Sequence, residues 1–285
     1  MSAQRQNTLR VGFIGVGRMG RPMARHVAGA GFPVLAFDTH AEALLGVEEA
    51  GIKPAASISE IAANADFIIV IVPTDEDVLS ICCGGDGLNA GAAPGTIIAV
   101  ASSVRPETVR AVHDEARERR IGVLDMPLTK GVRGAEAGDM TLLVGGAESD
   151  LEKARPAMEC FSTAIHYLGP VGAAQVAKTV NNLLLWANLV SVFESLEFGV
   201  RLGVDPARLR DALFDCSADS WVLRELEFIL PTWPAKDMEN ALRMAKESGL
   251  DLPLAERVAE LVAAVDRPAM DRLLGADGGD ESKEP

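Results

Sequence analysis

Short apolar runs alternate with longer amphipathic stretches through the first half of the chain. Arg10–Ile14, Pro33–Phe37, Phe67–Val72, Thr96–Val100 and Gly122–Asp125 are rich in Val, Ile, Leu and Phe and end at Gly, Pro, Asp or Ser. That is the composition of strands buried on both faces. Between them lie stretches such as Pro22–Ala30, whose apolar residues recur at helical spacing. Strand-helix repetition of this kind predicts a parallel, doubly wound α/β sheet with its ligand crevice at the strand carboxyl ends. Met140–Val144 and Ala164–Tyr167 add strands, and Gly169-Pro170-Val171-Gly172 breaks the pattern. From there only helices are expected. The first, Gln175 to about Arg201, is roughly 40 Å long at the usual rise. Pro206–Cys216, Trp221–Leu230, Asp237–Ser248 and Leu254–Val265 follow, with Asp237 expected to cap its helix. Residues 1–170 and 171–285 are therefore expected to form an α/β domain and an all-helical domain joined through the long helix. The tail Gly275–Pro285, rich in Gly, Asp and Glu, reads as disordered.

The first strand runs directly into Gly15-Val16-Gly17-Arg18-Met19-Gly20. A G-x-G-x-x-G between strand and helix is a dinucleotide fingerprint: its glycines permit a tight turn, close backbone approach to a pyrophosphate, and helix-on-strand packing. The helix start then turns its N–H groups toward the phosphates. The next strand ends in Asp38, placed to accept hydrogen bonds from a ribose and to repel a 2′-phosphate, so NAD is favoured over NADP. The other reading of Asp38 is a cap for a helix starting at Ala41. Val72-Pro73-Thr74, Ser102-Ser103 and Asp125-Met126-Pro127 fall at strand carboxyl ends and line the same crevice. The first domain is thus expected to be Rossmann-type, with Gly15, Val16, Gly17, Arg18, Met19, Gly20, Asp38, Val72 and Pro73 toward the cofactor.

Composition narrows the partners. With 48% hydrophobic and 24% charged residues, the 285-residue chain is that of an ordinary globular protein. A net charge of −14 gives no general attraction to nucleic acid or anionic lipid, so an anionic substrate needs a local basic group. The apolar run Leu183–Val190 is too short to span a bilayer, and Met1–Arg10 lacks an apolar signal core, so a cytoplasmic protein is expected. Cys82, Cys83, Cys160 and Cys216 form no CxxC pair, and His26, His40, His113 and His166 are scattered; no metal is expected.

Lys178 is the only charged residue between Gln175 and Phe193. Helical spacing puts it near Asn181 and Asn182 on one side of the long helix. A helix so apolar should be buried, and an ammonium taken out of water titrates nearer neutrality, where it can exchange protons. The alternative is a lysine laid along apolar surface with its head in water, beside asparagines that satisfy backbone groups.

Four segments in order resemble the β-hydroxyacid dehydrogenase family, which includes 3-hydroxyisobutyrate dehydrogenases and tartronate semialdehyde reductases. They are Gly12-Phe13-Ile14-Gly15-Val16-Gly17-Arg18-Met19-Gly20 with Met23-Ala24, Asp125 to Gly138, Gly169 to Asn182, and Lys236-Asp237-Met238. The resemblance runs from about Arg10 to Val265. It implies that Lys178 takes the hydroxyl proton during oxidation and returns it during reduction, and that Asn182 holds the substrate beside it. It implies that Thr129-Lys130-Gly131 cradles a substrate carboxylate, that Ser103 contacts the cofactor, and that Lys236 closes over cofactor and substrate. Asn181, where related phosphogluconate dehydrogenases carry histidine, points to the small-acid branch. A homodimer or homotetramer is expected.

Two departures bear on the substrate. The cradle is usually Ser-Gly-Gly, whereas here Thr129 adds a methyl and Lys130 a flexible cation. Lys130, with Arg133, is expected to bind an anionic substrate group, the alternative being a solvent-facing lysine. The segment between Trp221 and Lys236 looks short for the family, and the match weakens after Leu261. The expected activity is hydride transfer between NAD and a small hydroxy acid or semialdehyde acid. The rivals are an imine reductase and an NAD-binding protein without turnover.

Overall fold

A computed structural model describes residues 9–229 and 231–274; the tail expected to be disordered and the last residue of the expected Trp221–Leu230 helix lie outside them. Eight strands form one sheet: β1 (Val11–Ile14), β2 (Val34–Phe37), β3 (Ile52–Pro54), β4 (Phe67–Val70), β5 (Ile97–Val100), β6 (Gly122–Asp125), β7 (Met140–Gly146) and β8 (Ser162–Gly169). Their order is β3-β2-β1-β4-β5-β6-β7-β8. Packed on the sheet or between its strands are α1 (Gly20–Gly29), α2 (Ile58–Asn64), α3 (Asp75–Cys83), α4 (Leu88–Gly91), α5 (Pro106–Glu118), α6 (Gly131–Ala137) and α7 (Glu148–Met158). There follow α8 (Ala173–Arg201), α9 (Pro206–Leu213), α10 (Trp221–Arg224), α11 (Pro234–Glu247), α12 (Pro253–Val262) and α13 (Arg267–Leu274).

Every residue of β1, β4 and β5 is buried, as the continuous apolar runs require of central strands covered on both faces. Alternation sorts them. Phe67 and Ile69 enter one core layer with Phe13, Met23, Val27 and Leu124, whereas Ile68 and Val70 enter the other with Ile61, Val78, Ile98 and Val109.

The sheet departs from the expected all-parallel one at β7. It pairs antiparallel with β6 and parallel with β8, so the last two strands run against the rest. An antiparallel neighbour needs no crossover, and β7 can start near the edge where β6 ends.

Cα packing divides the chain into two units, Met1–Lys178 and Thr179–Pro285. The core of the second contains Trp186, Leu189, Val190, Leu196, Val222, Leu226, Met238, Val258 and Met270. The long helix begins at Ala173, two residues before the expected start, and only part of it is buried. Trp186, Leu189, Val190 and Leu196 point into the core, while Val180, Leu184 and Phe198 are 50%, 61% and 66% exposed. The expectation of burial all round is thus corrected: composition alone cannot show which side of an apolar helix a single chain covers. By length and hydropathy α8 could also cross a bilayer. Lys178, Asn181, Asn182 and Asn188 along it, and its packing into a globular core, weigh against that use.

Two other expectations change. The chain leaves α10 at Glu225 and makes a single tight turn, Leu226–Phe228, that buries Leu226, in place of one helix to Leu230. Asp237 does not cap its helix: α11 starts at Pro234, and the Asp237 carboxylate accepts a 3.0 Å hydrogen bond from the Trp186 indole N–H. A proline at the first helical position supplies the start signal instead.

Candidate active site

The carboxyl ends of β1, β2, β4, β5 and β6 lie on one edge of the sheet, and backbone bonds carry their ladders one residue further. Gly15 N–H donates to the Phe37 carbonyl, Ile71 to Ile14, Ala101 to Val70 and Met126 to Val100. This edge brings together the glycine turn, Asp38, Val72, Pro73, Ser103 and the start of the Thr129 loop.

The glycines divide their labour as the fingerprint requires. Gly15 has φ +90°, and a Cβ there would run into the Ile71 carbonyl oxygen; one at Gly20 would run into the Gly15 oxygen. Those two fix the turn. Gly17 is different, because a Cβ there would meet no protein atom within 4 Å. The space beside it is open at the start of α1, where a pyrophosphate fits against backbone N–H groups. Asp38 Oδ2 accepts from Val16 N–H and Oδ1 from His40 N–H, each at 2.9 Å. Its side chain is largely buried, and each oxygen keeps a lone pair for a ribose hydroxyl. The helix-cap reading of Asp38 does not hold, since the short turn from Ala41 has no side-chain cap.

Ser103 is exposed, and its neighbours hold it in place. The buried Ser102 hydroxyl accepts a 2.8 Å bond from Val72 N–H. Asp75 accepts from the Arg105 backbone and side chain, both at 3.0 Å, and from the Thr108 hydroxyl. Burial would raise the Asp75 carboxyl, but these Thr108 and Arg105 bonds outweigh it and hold the group below its usual range. Gln175 completes the anchor. Its Nε2 donates to the Ser102 carbonyl at 2.9 Å, and its Oε1 accepts from Val104 N–H at 3.2 Å.

Gln175 lies in the first turn of α8, and that turn is capped from β6. Asp125, fully buried at the end of the strand, accepts from the N–H groups of Ala174 (2.9 Å) and Gln175 (3.1 Å) through Oδ2. Its Oδ1 is sealed in without a hydrogen-bond partner among the described residues. Burial pushes the carboxyl up, against the pull of backbone N–H groups at Gly172, Gln175 and Ala174. Lys178 follows one turn later and is half-buried.

The Thr129 loop is more committed than its sequence suggests. The Thr129 hydroxyl donates to the Thr141 carbonyl at 3.0 Å, and its N–H reaches the same oxygen at 3.3 Å. Lys130 and Gly131 both have positive φ, +66° and +60°. The Lys130 ammonium donates to the Asp139 carbonyl at 2.7 Å and lies 3.6 Å from the Asp139 carboxylate. The charge expected to meet a substrate anion is held by Asp139.

In the second unit, Asn182 is buried and its Oδ1 accepts from Asn181 Nδ2 at 3.1 Å. Lys236 is half-buried on α11, next to the Asp237 that holds Trp186. Burial pushes the Cys82 thiol far up, and burial with Glu115 brings Cys83 up to about 12, so neither is a nucleophile. Among the described residues no group of His, Cys, Asp and Glu could hold a metal ion. In the sequence, Gln175 stands only at the boundary of the long helix. A buried amide in an apolar first turn was its signal.

The strand order and the glycine turn define a dinucleotide-binding protein with a helical second unit. A family model described as the NAD binding domain of 6-phosphogluconate dehydrogenase matches residues 10–169. A second, described as NAD-binding of NADP-dependent 3-hydroxyisobutyrate dehydrogenase, matches residues 172–273. An NAD-dependent L-serine dehydrogenase of Pseudomonas aeruginosa is 36% identical over 262 residues, 89% of this chain and 86% of that protein. The 2-(hydroxymethyl)glutarate dehydrogenase of Eubacterium barkeri is 31% identical over 267 residues, 90% of this chain and 89% of that protein. The solved Mycobacterium tuberculosis 3-hydroxyisobutyrate dehydrogenase with L-serine superposes with a TM-score of 0.83 at 28% identity, over 95% of this chain and 100% of that one. The chain belongs to the β-hydroxyacid dehydrogenase family, and its cofactor is NAD.

Two outcomes test this geometry. Gly17→Ala should melt within about 2 °C of the native protein, an estimate for a surface change, yet lose most of its NADH affinity by fluorescence titration, because its methyl occupies the open space. Gly20→Ala should lose thermal stability outright, and equal behaviour of the two variants would contradict the assignment. Asp125 has a raised carboxyl pKa in the folded state, so its contribution to stability is present at low pH and lost as pH rises above the ordinary 3.8. Asp125→Asn should therefore gain stability relative to the native protein as pH rises from about 4 to 7, a window set by that linkage. Urea unfolding of both across that range would show a flat difference if the carboxyl were not perturbed.

Proposed function

We propose that this chain transfers a hydride between NAD(H) and a small 3-hydroxy acid or its semialdehyde acid, with Lys178 as general acid/base. The observation that carries the reading is the position of Lys178, one turn into a helix whose start is capped by Asp125 and tied through Gln175 to the Ser102–Val104 turn. The compounds named for the relatives share one pattern. L-serine, 3-hydroxyisobutyrate and 2-(hydroxymethyl)glutarate each carry a hydroxymethyl group on the carbon that bears a carboxylate. They differ in the third substituent.

When bound, NAD+ supplies the hydride acceptor. In the oxidation, Lys178 as the neutral amine takes the hydroxyl proton while the hydride leaves the same carbinol carbon, giving the aldehyde and the ammonium. In reverse the ammonium polarises the carbonyl oxygen and returns the proton, so no metal is required. Asn182, one turn further along α8, offers its amide on the same side of the helix. Because the Thr129 hydroxyl and Lys130 ammonium are already engaged, we assign the substrate carboxylate to backbone N–H groups of the Lys130-Gly131 turn. Lys236 then serves as the closing cation.

A spectrophotometric survey with NAD+ and L-serine, 3-hydroxyisobutyrate and 2-(hydroxymethyl)glutarate tests the class. Lys178→Ala should lower kcat about 10²- to 10⁴-fold, the usual reach of acid/base catalysis, while still binding NADH. A Lys178→Ala enzyme within tenfold of native would refute the role. Tight NADH binding without turnover on any acid or aldehyde would leave a non-catalytic protein.

We also propose that the chain works as a homodimer or homotetramer, because α8 exposes Val180, Leu184 and Phe198 along its length. Sedimentation should give twice or four times the single-chain mass, and Leu184→Glu should shift it toward one chain. A native protein that sediments as a monomer at micromolar concentration would rule this out.

A further inference from the structure

We infer that Gln175 is a positioning residue for the reaction: it registers the first turn of α8, and so Lys178, against the Ser102–Val104 turn at the cofactor edge. This rests on the reading of Lys178 as general acid/base. Gln175 is 2% exposed, and its carboxamide uses both ends on one turn, the donor on the Ser102 carbonyl and the acceptor on the Val104 N–H. A planar amide bonded on both sides of Ser103 fixes separation and also the rotation of the helix about its axis. A single contact would fix only separation.

Gln175 and Lys178 are three residues apart, on neighbouring positions of the helix surface, so a rotation permitted at one is transmitted to the other. The Gln175 N–H is itself held by Asp125, which ends the strand leading into the Thr129 loop. Two side chains, Asp125 and Gln175, therefore link the substrate loop, the cofactor-side turn and the catalytic helix within one folded unit. The Ser102 hydroxyl extends the link to Val72. Neither side chain needs to touch a reacting atom for the reaction to depend on it, since displacement of a catalytic group by about 1 Å can cost about 10²-fold in rate.

The test uses Gln175→Met, which keeps the length of the side chain and removes both bonds. In the cofactor-free protein, exchange of the Val104 amide should quicken at least about tenfold, as expected for loss of its acceptor. Turnover should fall about 10- to 100-fold, with KM for the hydroxy acid changing far less than kcat. In a Lys178→Ala background Gln175→Met should cost less than about twofold more, because both changes remove one function. If Gln175→Met does not fold, Gln175→Asn keeps a neutral carboxamide but, one methylene shorter, cannot reach the Ser102 carbonyl and the Val104 N–H together. It should then lower kcat with little change in KM and quicken Val104 exchange.

Native kcat in the folded Gln175 variant, or losses that multiply with Lys178→Ala, would overturn the inference. Lys178→Ala run alone separates the two ideas. If it is dead while Gln175→Met is normal, only the positioning role fails. If it is fully active, the acid/base reading fails first.

Discussion

The capping of α8 by a carboxylate at the end of a central strand is the constraint on which the rest of the site depends. Asp125 gives up hydration completely, and burial alone would favour its neutral form. What offsets this is the start of a helix, whose first N–H groups lack partners and whose dipole favours negative charge. Ala174 and Gln175 supply two such groups. The exchange leaves Oδ1 without a hydrogen-bond partner among the described residues. Gly145 makes the fit possible, because a Cβ there would overlap that same oxygen.

From that cap the crevice is assembled by side chains that bridge adjacent strand ends. Asp38 holds the glycine turn to the end of β2, Ser102 holds the β4 end to the β5 end, and Asp75 ties the start of α3 to the loop before α5. None of these bonds needs a ligand, so the edge is preorganised by groups that lie behind it. The exposed positions, Gly17 and Ser103, are the ones without such structural duties. That separation lets one surface be shaped for a cofactor without weakening the sheet.

Much of this was legible in the residues, and the limits have physical causes. Period and composition located the central strands within a residue or two, because a strand buried on both faces has no polar positions to confuse it. The glycine turn was readable because Gly15 and Gly20 answer local steric demands and Gly17 leaves the space beside the helix start open. The direction of β7 was not readable, since an alternating strand looks the same whichever way it runs. The role of Asp237 was missed for a similar reason: its partner, Trp186, is distant in sequence, and the proline that starts α11 carries no acidic signature. The exposed side of α8 was hidden because hydrophobicity reports that a residue leaves water somewhere, without saying which chain covers it.

Lys130 shows how a departure from family pattern can be absorbed locally. A side chain at positive φ costs roughly 1 kcal/mol that glycine avoids, so the family's usual glycine is the less strained choice there. This chain sets against that cost a bond from the lysine ammonium to the Asp139 carbonyl and an ion pair with its carboxylate. Gly134 lies under the Lys130 side chain, where a Cβ would crowd it. The cation thus closes the loop onto the start of β7, and Thr129 binds Thr141 just beyond. A loop fastened at both positions has less freedom to reshape. On the substrate-binding role proposed for this loop, selectivity among hydroxy acids rests on the fit of the third substituent in a stiff cradle, more than on a mobile charge sent to meet it.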